Sequence, residues 1–234
     1  MLKGNRKTNT QNSLSITKDN ILSSIQDREN IMKTNTIKSL ALATTLTLAG
    51  TFGSTAAMAE GLASSPAGVY SVDPIHAYIQ FQYNHLGFSN PILTFDEFSM
   101  NLDLDPADPT KSKVDVTIVA DSVQTGSDIW HEHITSPDWL DAEANPEMTF
   151  VSTAISGSGE SFQITGDLTI KGTTKPVTLD VTINGAKPHP FNKKPTIGIT
   201  ATGTVLRSDW GLGKSAPIVS DEIELQIEAE LNQG

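Results

Sequence analysis

Hydrophobic and polar residues alternate with a period of two in eight segments after Tyr70, which predicts eight β-strands that each bury one face. The predicted strands cover residues 75–83, 98–104, 114–120, 148–156, 162–170, 177–183, 197–205 and 223–229. Turn residues such as Lys171-Gly172 and Asn184-Gly185 separate them and indicate hairpins. Such strands can form a sandwich or a closed barrel. Because closure removes exposed edges, we predict an all-β fold, an eight-stranded antiparallel β-barrel.

One connector breaks the alternation. Residues 127–140 contain two tryptophans, Trp130 and Trp139, and show no period of two. We predict a short helix or two capped turns here, an insertion that closes or flanks one end of the barrel.

The first quarter of the chain differs in composition from the rest. Residues 32–59 combine basic Lys33 and Lys38, an apolar run and a small-residue A-x-A site, which predicts a signal peptide cleaved between Ala59 and Glu60 and export to the periplasm. The apolar run is too short and too rich in threonine to predict a membrane span. Residues 1–31 are polar and are predicted to be a non-native or disordered extension, with translation starting at Met32. Residues 60–69 form a predicted linker to a barrel domain at 70–232.

Charge narrows the range of partners. The chain has 16 Lys and Arg against 27 Asp and Glu, and residues 1–59 contain seven of the former and three of the latter. The remainder carries nine basic and 24 acidic residues, a net charge of −15. Such a surface repels phosphate backbones, so we predict no nucleic-acid partner. The chain has no cysteine, which excludes disulfides and thiolate metal sites.

Four motifs follow one another along the chain. They are DPIH at 73–76 with HLG at 85–87, HITSPDWLDA at 133–142 with NP at 145–146, ITGDLTIKG at 164–172 with TKPV at 174–177, and RSDWGLG at 207–213 with VSDEI at 219–223. Together they span nearly all of the predicted mature chain, and in their order and spacing they resemble the YceI-like family of bacterial exported lipid-binding proteins. One departure is Leu93, because the family usually has glycine two residues before the phenylalanine at Phe95. A bulkier residue there puts the local turn and the cavity rim in question.

The resemblance implies a lipocalin-like barrel, often a homodimer, whose apolar cavity holds a long-chain isoprenoid or a related amphiphilic lipid. It implies no catalytic residues and no cofactor, and therefore a binding protein and not an enzyme. The residues expected to line the cavity are Ile79, Phe81, Tyr83, His85, Phe98, Met100, Ile118, Phe150, Phe162, Ile164, Leu168, Leu179, Ile199, Ala201 and Leu225.

Two alternatives stay open from the sequence. The first is a metal-dependent enzyme that uses His131, Glu132 and His133 with His76 or His85. A helix would turn residues i and i+2 about 200° apart, which disfavours chelation by both histidines. The second is a structural or partner-binding barrel with a filled core. In that barrel the small inward residues pack against large ones; these small residues are Ala77, Ala120, Gly166, Ala201, Gly203 and Ala229.

Overall fold

The structure is a computed structural model that describes residues 61–234. The predicted extension, the signal peptide and its cleavage site at Ala59 and Glu60 lie outside the described residues. The described strands are β1 (Gly68–Gln82), β2 (Ile92–Phe95), β3 (Phe98–Leu104), β4 (Lys113–Val119), β5 (Val123–Gln124), β6 (Glu147–Ser158), β7 (Ser161–Ile170), β8 (Thr173–Pro188), β9 (Pro195–Leu206) and β10 (Glu222–Gln233). The α-helix is α1 (Asp128–Thr135), and 3-10 turns occur at Leu62–Ser64, Pro109–Lys111, Ala120–Ser122 and Arg207–Trp210.

Eight of these strands form the predicted closed antiparallel barrel. Their order is β10-β9-β8-β7-β6-β4-β3-β1, and β1 closes the sheet by pairing with β10 from Tyr70↔Gln233 to Gln82↔Glu224. The two other strands are short additions, because β2 pairs with the second half of β1 and β5 pairs with β2. The fold prediction is confirmed.

The predicted hairpin turns are partly wrong. At Lys171 and Gly172 both φ angles are positive, +49° and +72°, which is the left-handed geometry that a two-residue hairpin requires. Asn184 and Gly185, in contrast, lie inside β8, where the pairing with β9 shifts register between Ile183 and Gly185. The asparagine-glycine pair therefore marks a bulge, and the chain reverses at residues 189–194.

Alternation along the first predicted strand puts Ile75 on the same face as Ala77 and Ile79, and this prediction is wrong. Its side chain is 75% exposed. β1 pairs with β10 up to Val72 and resumes at Ala77, so four residues of β1 oppose one residue of β10, Glu230. Because this bulge interrupts the alternation, residues before Ala77 do not follow the parity of those after it.

The predicted helical insertion forms α1 and a following turn. The Ser127 hydroxyl accepts a hydrogen bond from the N–H of Trp130 and caps the helix, and Asp128 stands in its first turn. Ile134 is buried and faces the barrel interior, so α1 covers one end. None of the helices within residues 61–234 has the length and apolar character needed to cross a membrane.

Candidate functional site

The barrel encloses a cavity of about 810 Å³. Apolar side chains from the inner faces of the eight barrel strands, from β2 and from the segment around α1 form most of its wall. The volume lies in the upper part of the range of roughly 300–1,000 Å³ that is typical of small-molecule sites. The interior therefore has room for a ligand of substantial size.

The structure places all but one of the predicted lining residues on this wall. Those on the wall are Ile79, Phe81, Tyr83, His85, Met100, Ile118, Phe150, Phe162, Ile164, Leu168, Leu179, Ile199, Ala201 and Leu225. Phe98 is not among them: it is the first residue of β3 and packs, half-buried, against the hydrophobic core. That the wall residues contact a ligand stays a prediction.

Large neighbours cover two of the small inward residues. A Cβ atom on Gly166 would lie 2.4 Å from Cζ of Phe150, and one on Gly203 would lie 2.7 Å from a methyl carbon of Leu179. At these positions the interior is packed as the filled-core alternative expects. Ala201, however, borders the cavity, so that alternative does not describe the whole interior.

Leu93 does not disturb a turn. It lies in β2 opposite Phe81, is 2% exposed and contributes to the cavity wall. The ring of Phe81 stacks on that of Phe95 with 5.4 Å between centroids. A regular strand accepts leucine without strain, so the Leu93 side chain adds apolar bulk to the wall.

All three tryptophans of the chain border the cavity. The indole N–H of Trp139 donates to Nε2 of His133 at 3.0 Å, and the Trp130 ring lies 5.0 Å from the His133 ring. The indole N–H of Trp210 donates to the carbonyl oxygen of Leu168 at 3.1 Å. The three tryptophans thus place apolar rings against the cavity, and Trp139 and Trp210 keep their indole N–H groups bonded.

Arg207 is a cavity residue that strand alternation could not predict. It is 6% exposed, and its guanidinium stands 5.5 Å from the Trp139 ring centre. It donates to four backbone carbonyl oxygens, those of Leu212, Lys214, Val219 and Ser220. Burial lowers the pKa of Arg207, while Asp221 and Tyr83 oppose that shift. Arg207 therefore ties the 212–220 loop across one barrel end. The RSDWGLG motif contains Arg207, but the prediction of cavity residues rests on strand alternation and therefore does not include it.

The structure does not gather the histidines into the suggested metal site. Nε2 of His131 bonds to the backbone carbonyl of Asp121 at 2.9 Å, while Nε2 of His133 accepts from Trp139. Within residues 61–234, His131, Glu132 and His133 belong to no group of three close metal donors. The helical divergence expected from the sequence accounts for this separation.

Comparison with known proteins shows which family this barrel belongs to. A model of the YceI-like domain matches residues 70–231, most of the chain. The chain belongs to the YceI-like family. This YceI-like chain is 36% identical over 176 residues to the UPF0312 protein of Serratia proteamaculans, a match that covers 74% of this chain and 91% of that protein. It is 35% identical over 169 residues to protein YceI of Escherichia coli, covering 71% and 88%.

Solved structures agree with the YceI-like fold. The crystal structure of Burkholderia cenocepacia BcnA superposes with a TM-score of 0.61 at 27% identity and covers 70% of this chain and 99% of that one. The Campylobacter jejuni YCEI protein gives 0.59 at 34% identity, covering 64% and 90%. A polyisoprenoid binding domain from Saccharophagus degradans gives 0.53 at 12% identity, covering 72% and 100%, and so shows the same fold.

Proposed function

We propose that this protein binds a polyisoprenoid or a similarly long amphiphilic lipid inside the barrel, and carries or sequesters it in the periplasm after export. The observation that carries the proposal is the cavity of about 810 Å³ with its predominantly apolar wall. An empty apolar space of this size is unfavourable in a protein interior, where packing normally leaves few voids larger than a water molecule. A bound apolar chain would restore those contacts.

The energetics favour a long ligand over a short one. Each buried methylene contributes about 0.8 kcal/mol, whereas association costs on the order of 4–15 kcal/mol in lost freedom. Burial of ten carbons would give about 8 kcal/mol, which only balances the middle of that cost. A ligand held mainly by apolar contact must therefore bury well over ten carbons, as a chain of several isoprene units would.

The polar wall residues suggest how the ligand is oriented. His85 pairs with Val219, whose carbonyl oxygen accepts from Arg207, and Arg207 stands over Trp139. These contacts gather the polar groups of His85 and Arg207, with His133 bonded to Trp139, toward one end of the cavity. The polar head of the ligand would lie at this end and its chain would fill the apolar remainder.

Binding is favoured over catalysis by the character of the wall. It offers many apolar contacts, and the histidines near it are bonded to or stacked on neighbouring groups. A general acid and base would have to stand together within hydrogen-bond reach of a reacting group. Membership of the YceI-like family, and a neighbour of the same fold that is described as a polyisoprenoid binding domain, agree with a binding role.

The test is native mass spectrometry of the protein purified from the periplasmic fraction of lipid-replete cells, followed by solvent extraction of the bound material. We expect one long-chain isoprenoid per barrel and a shift to the ligand-free mass after extraction. A protein that stays with the cytoplasmic fraction would contradict the location. A ligand-free protein, or one that carries only a small polar molecule, would contradict the lipid role.

A further inference from the structure

The closing seam of the barrel contains a cluster of three potential metal ligands on its outer surface. Asp73 and His76 lie in the β1 bulge, and Glu230 is the β10 residue that the bulge spans. The carboxylate oxygens of Asp73 and Glu230 and a ring nitrogen of His76 all lie within 4.8 Å of one another. The bulge thus brings donors from the two ends of the barrel sequence to one point.

The local charge of this cluster is suited to a cation. Oδ2 of Asp73 lies 3.1 Å from Nδ1 of His76, and its other oxygen accepts from the N–H of Ile75 at 3.0 Å, which fixes the carboxylate. In the part of the chain that the structure describes, neither Asp73 nor Glu230 forms an ion pair with lysine or arginine. The two carboxylates together carry a charge of −2, which a divalent ion would neutralise.

We propose that Asp73, His76 and Glu230 bind one divalent transition-metal ion, with zinc as the best match. Zinc binds imidazole nitrogen and carboxylate oxygen at about 2.0–2.2 Å in a tetrahedral arrangement, which sets its donors about 3.4 Å apart. Asp73 and His76 already stand at about this separation, with 3.1 Å between Oδ2 and Nδ1, and a carboxylate oxygen of Glu230 lies within 4.8 Å of both. Magnesium and calcium prefer six or more oxygen ligands, so the imidazole argues against them.

The strand beside Glu230 leaves space for a fourth ligand. Glu230 pairs with Gly198 of β9, and a Cβ atom on Gly198 would meet nothing closer than 3.8 Å. Because Gly198 has no side chain, water can reach the ion and complete its coordination. The ion would connect β1 to β10 where their backbone pairing is interrupted, and would therefore stabilise the closed barrel.

The site is tested by calorimetric titration of zinc chloride into the purified, EDTA-treated protein, with His76→Asn and Glu230→Gln as variants. We expect one zinc per chain, and binding at least tenfold weaker in each variant, because a lost ligand should cost no less than the 10–100-fold typical of lost supporting groups. Glu224→Gln is the matched control: it removes the same charge from an exposed position on β10 and should change affinity less than twofold. Thermal unfolding with and without zinc gives a second readout, in which only the wild type and the control gain stability.

Three outcomes would overturn the site. The first is the absence of saturable binding at one equivalent of zinc. The second is a loss of affinity in Glu224→Gln equal to that in Glu230→Gln, which would mean diffuse attraction to an acidic surface. The third is unchanged binding in His76→Asn, which would mean that zinc binds elsewhere. The cluster lies outside the cavity, so failure here leaves the lipid proposal unaffected.

Discussion

Substitution of Ala201 by phenylalanine should abolish most of the lipid affinity and leave the fold intact. Ala201 is 4% exposed, borders the cavity and pairs with Val181 on one side and Ile227 on the other, so an added ring can extend only into the cavity. The change adds six carbons to the wall. If these displace four ligand carbons, the loss is about 3 kcal/mol at 0.8 kcal/mol per methylene, which weakens binding about 200-fold. Because the ring enters space that no side chain occupies, we expect a stability cost below the ~1–3 kcal/mol of ordinary overpacking.

Tryptophan fluorescence provides the assay, since all three indoles border the cavity and should respond to a titrated octaprenyl alcohol. Ala154→Phe is the matched control, because it adds the same ring at an exposed position on β6. Ala154→Phe should bind as the wild type does. Wild-type affinity in a folded Ala201→Phe protein would refute the cavity as the binding site.

Three further predictions concern pH, packing and the barrel end. Burial raises the pKa of Tyr83 above its usual 10.0, so its contribution to stability is complete below pH 10 and is lost as the pH rises through the folded-state pKa. In an ultraviolet titration the phenolate of Tyr83 should therefore form at a higher pH than that of an ordinary tyrosine, and Tyr83→Phe should remove this step. A Tyr83 phenolate that forms at the ordinary pH would contradict the burial. Gly166→Ala should destabilise the protein by about 1–3 kcal/mol because the added methyl group clashes with Phe150. Gly185→Ala is the control, because open space surrounds Gly185 and no clash is expected. The free energies of unfolding in urea compare the two variants. Arg207→Met removes the donor that serves four carbonyl groups and should lower the free energy of unfolding by about 3 kcal/mol. Amide hydrogen exchange across residues 212–220 should become faster. Unchanged exchange would show that the loop does not depend on Arg207.

The sequence could predict the barrel because its signal is repeated. Eight separate alternating segments each specify a buried face, and a closed barrel buries all of these faces without leaving free edges. β2 and β5 were missed because they have four and two residues, too few to show a period. Asn184-Gly185 misled the prediction since the same residue pair that favours a hairpin turn also accommodates a bulge in a long strand.

Residues of the cavity wall could be predicted where side chains alternate regularly along a strand, and not where a bulge or a loop interrupts the alternation. Along β1 and just beyond it, the predicted positions Ile79, Phe81 and Tyr83 lie on the cavity wall, while Ile75 does not, because the bulge at 73–76 separates the two halves of β1. Arg207 could not be found by periodicity, since its position depends on carbonyl groups of a loop that folds back over the barrel end. Side-chain parity describes the wall of a barrel, whereas its ends are determined by irregular segments.

The glycines on the inner face explain how this barrel stays hollow despite its large side chains. A small inward residue can leave space through its own size, or it can be covered by a larger neighbour. Gly166 and Gly203 are covered in the structure: the Phe150 ring and the Leu179 side chain occupy the space where a Cβ atom would be and so lie against the wall. A side chain that lies on the wall covers backbone without extending into the interior. A larger residue at either glycine would push its neighbour inward, so the volume of about 810 Å³ depends on the glycines through the residues that cover them. Gly166→Ala should therefore reduce lipid affinity as well as stability, which links the packing of the wall to the proposed function.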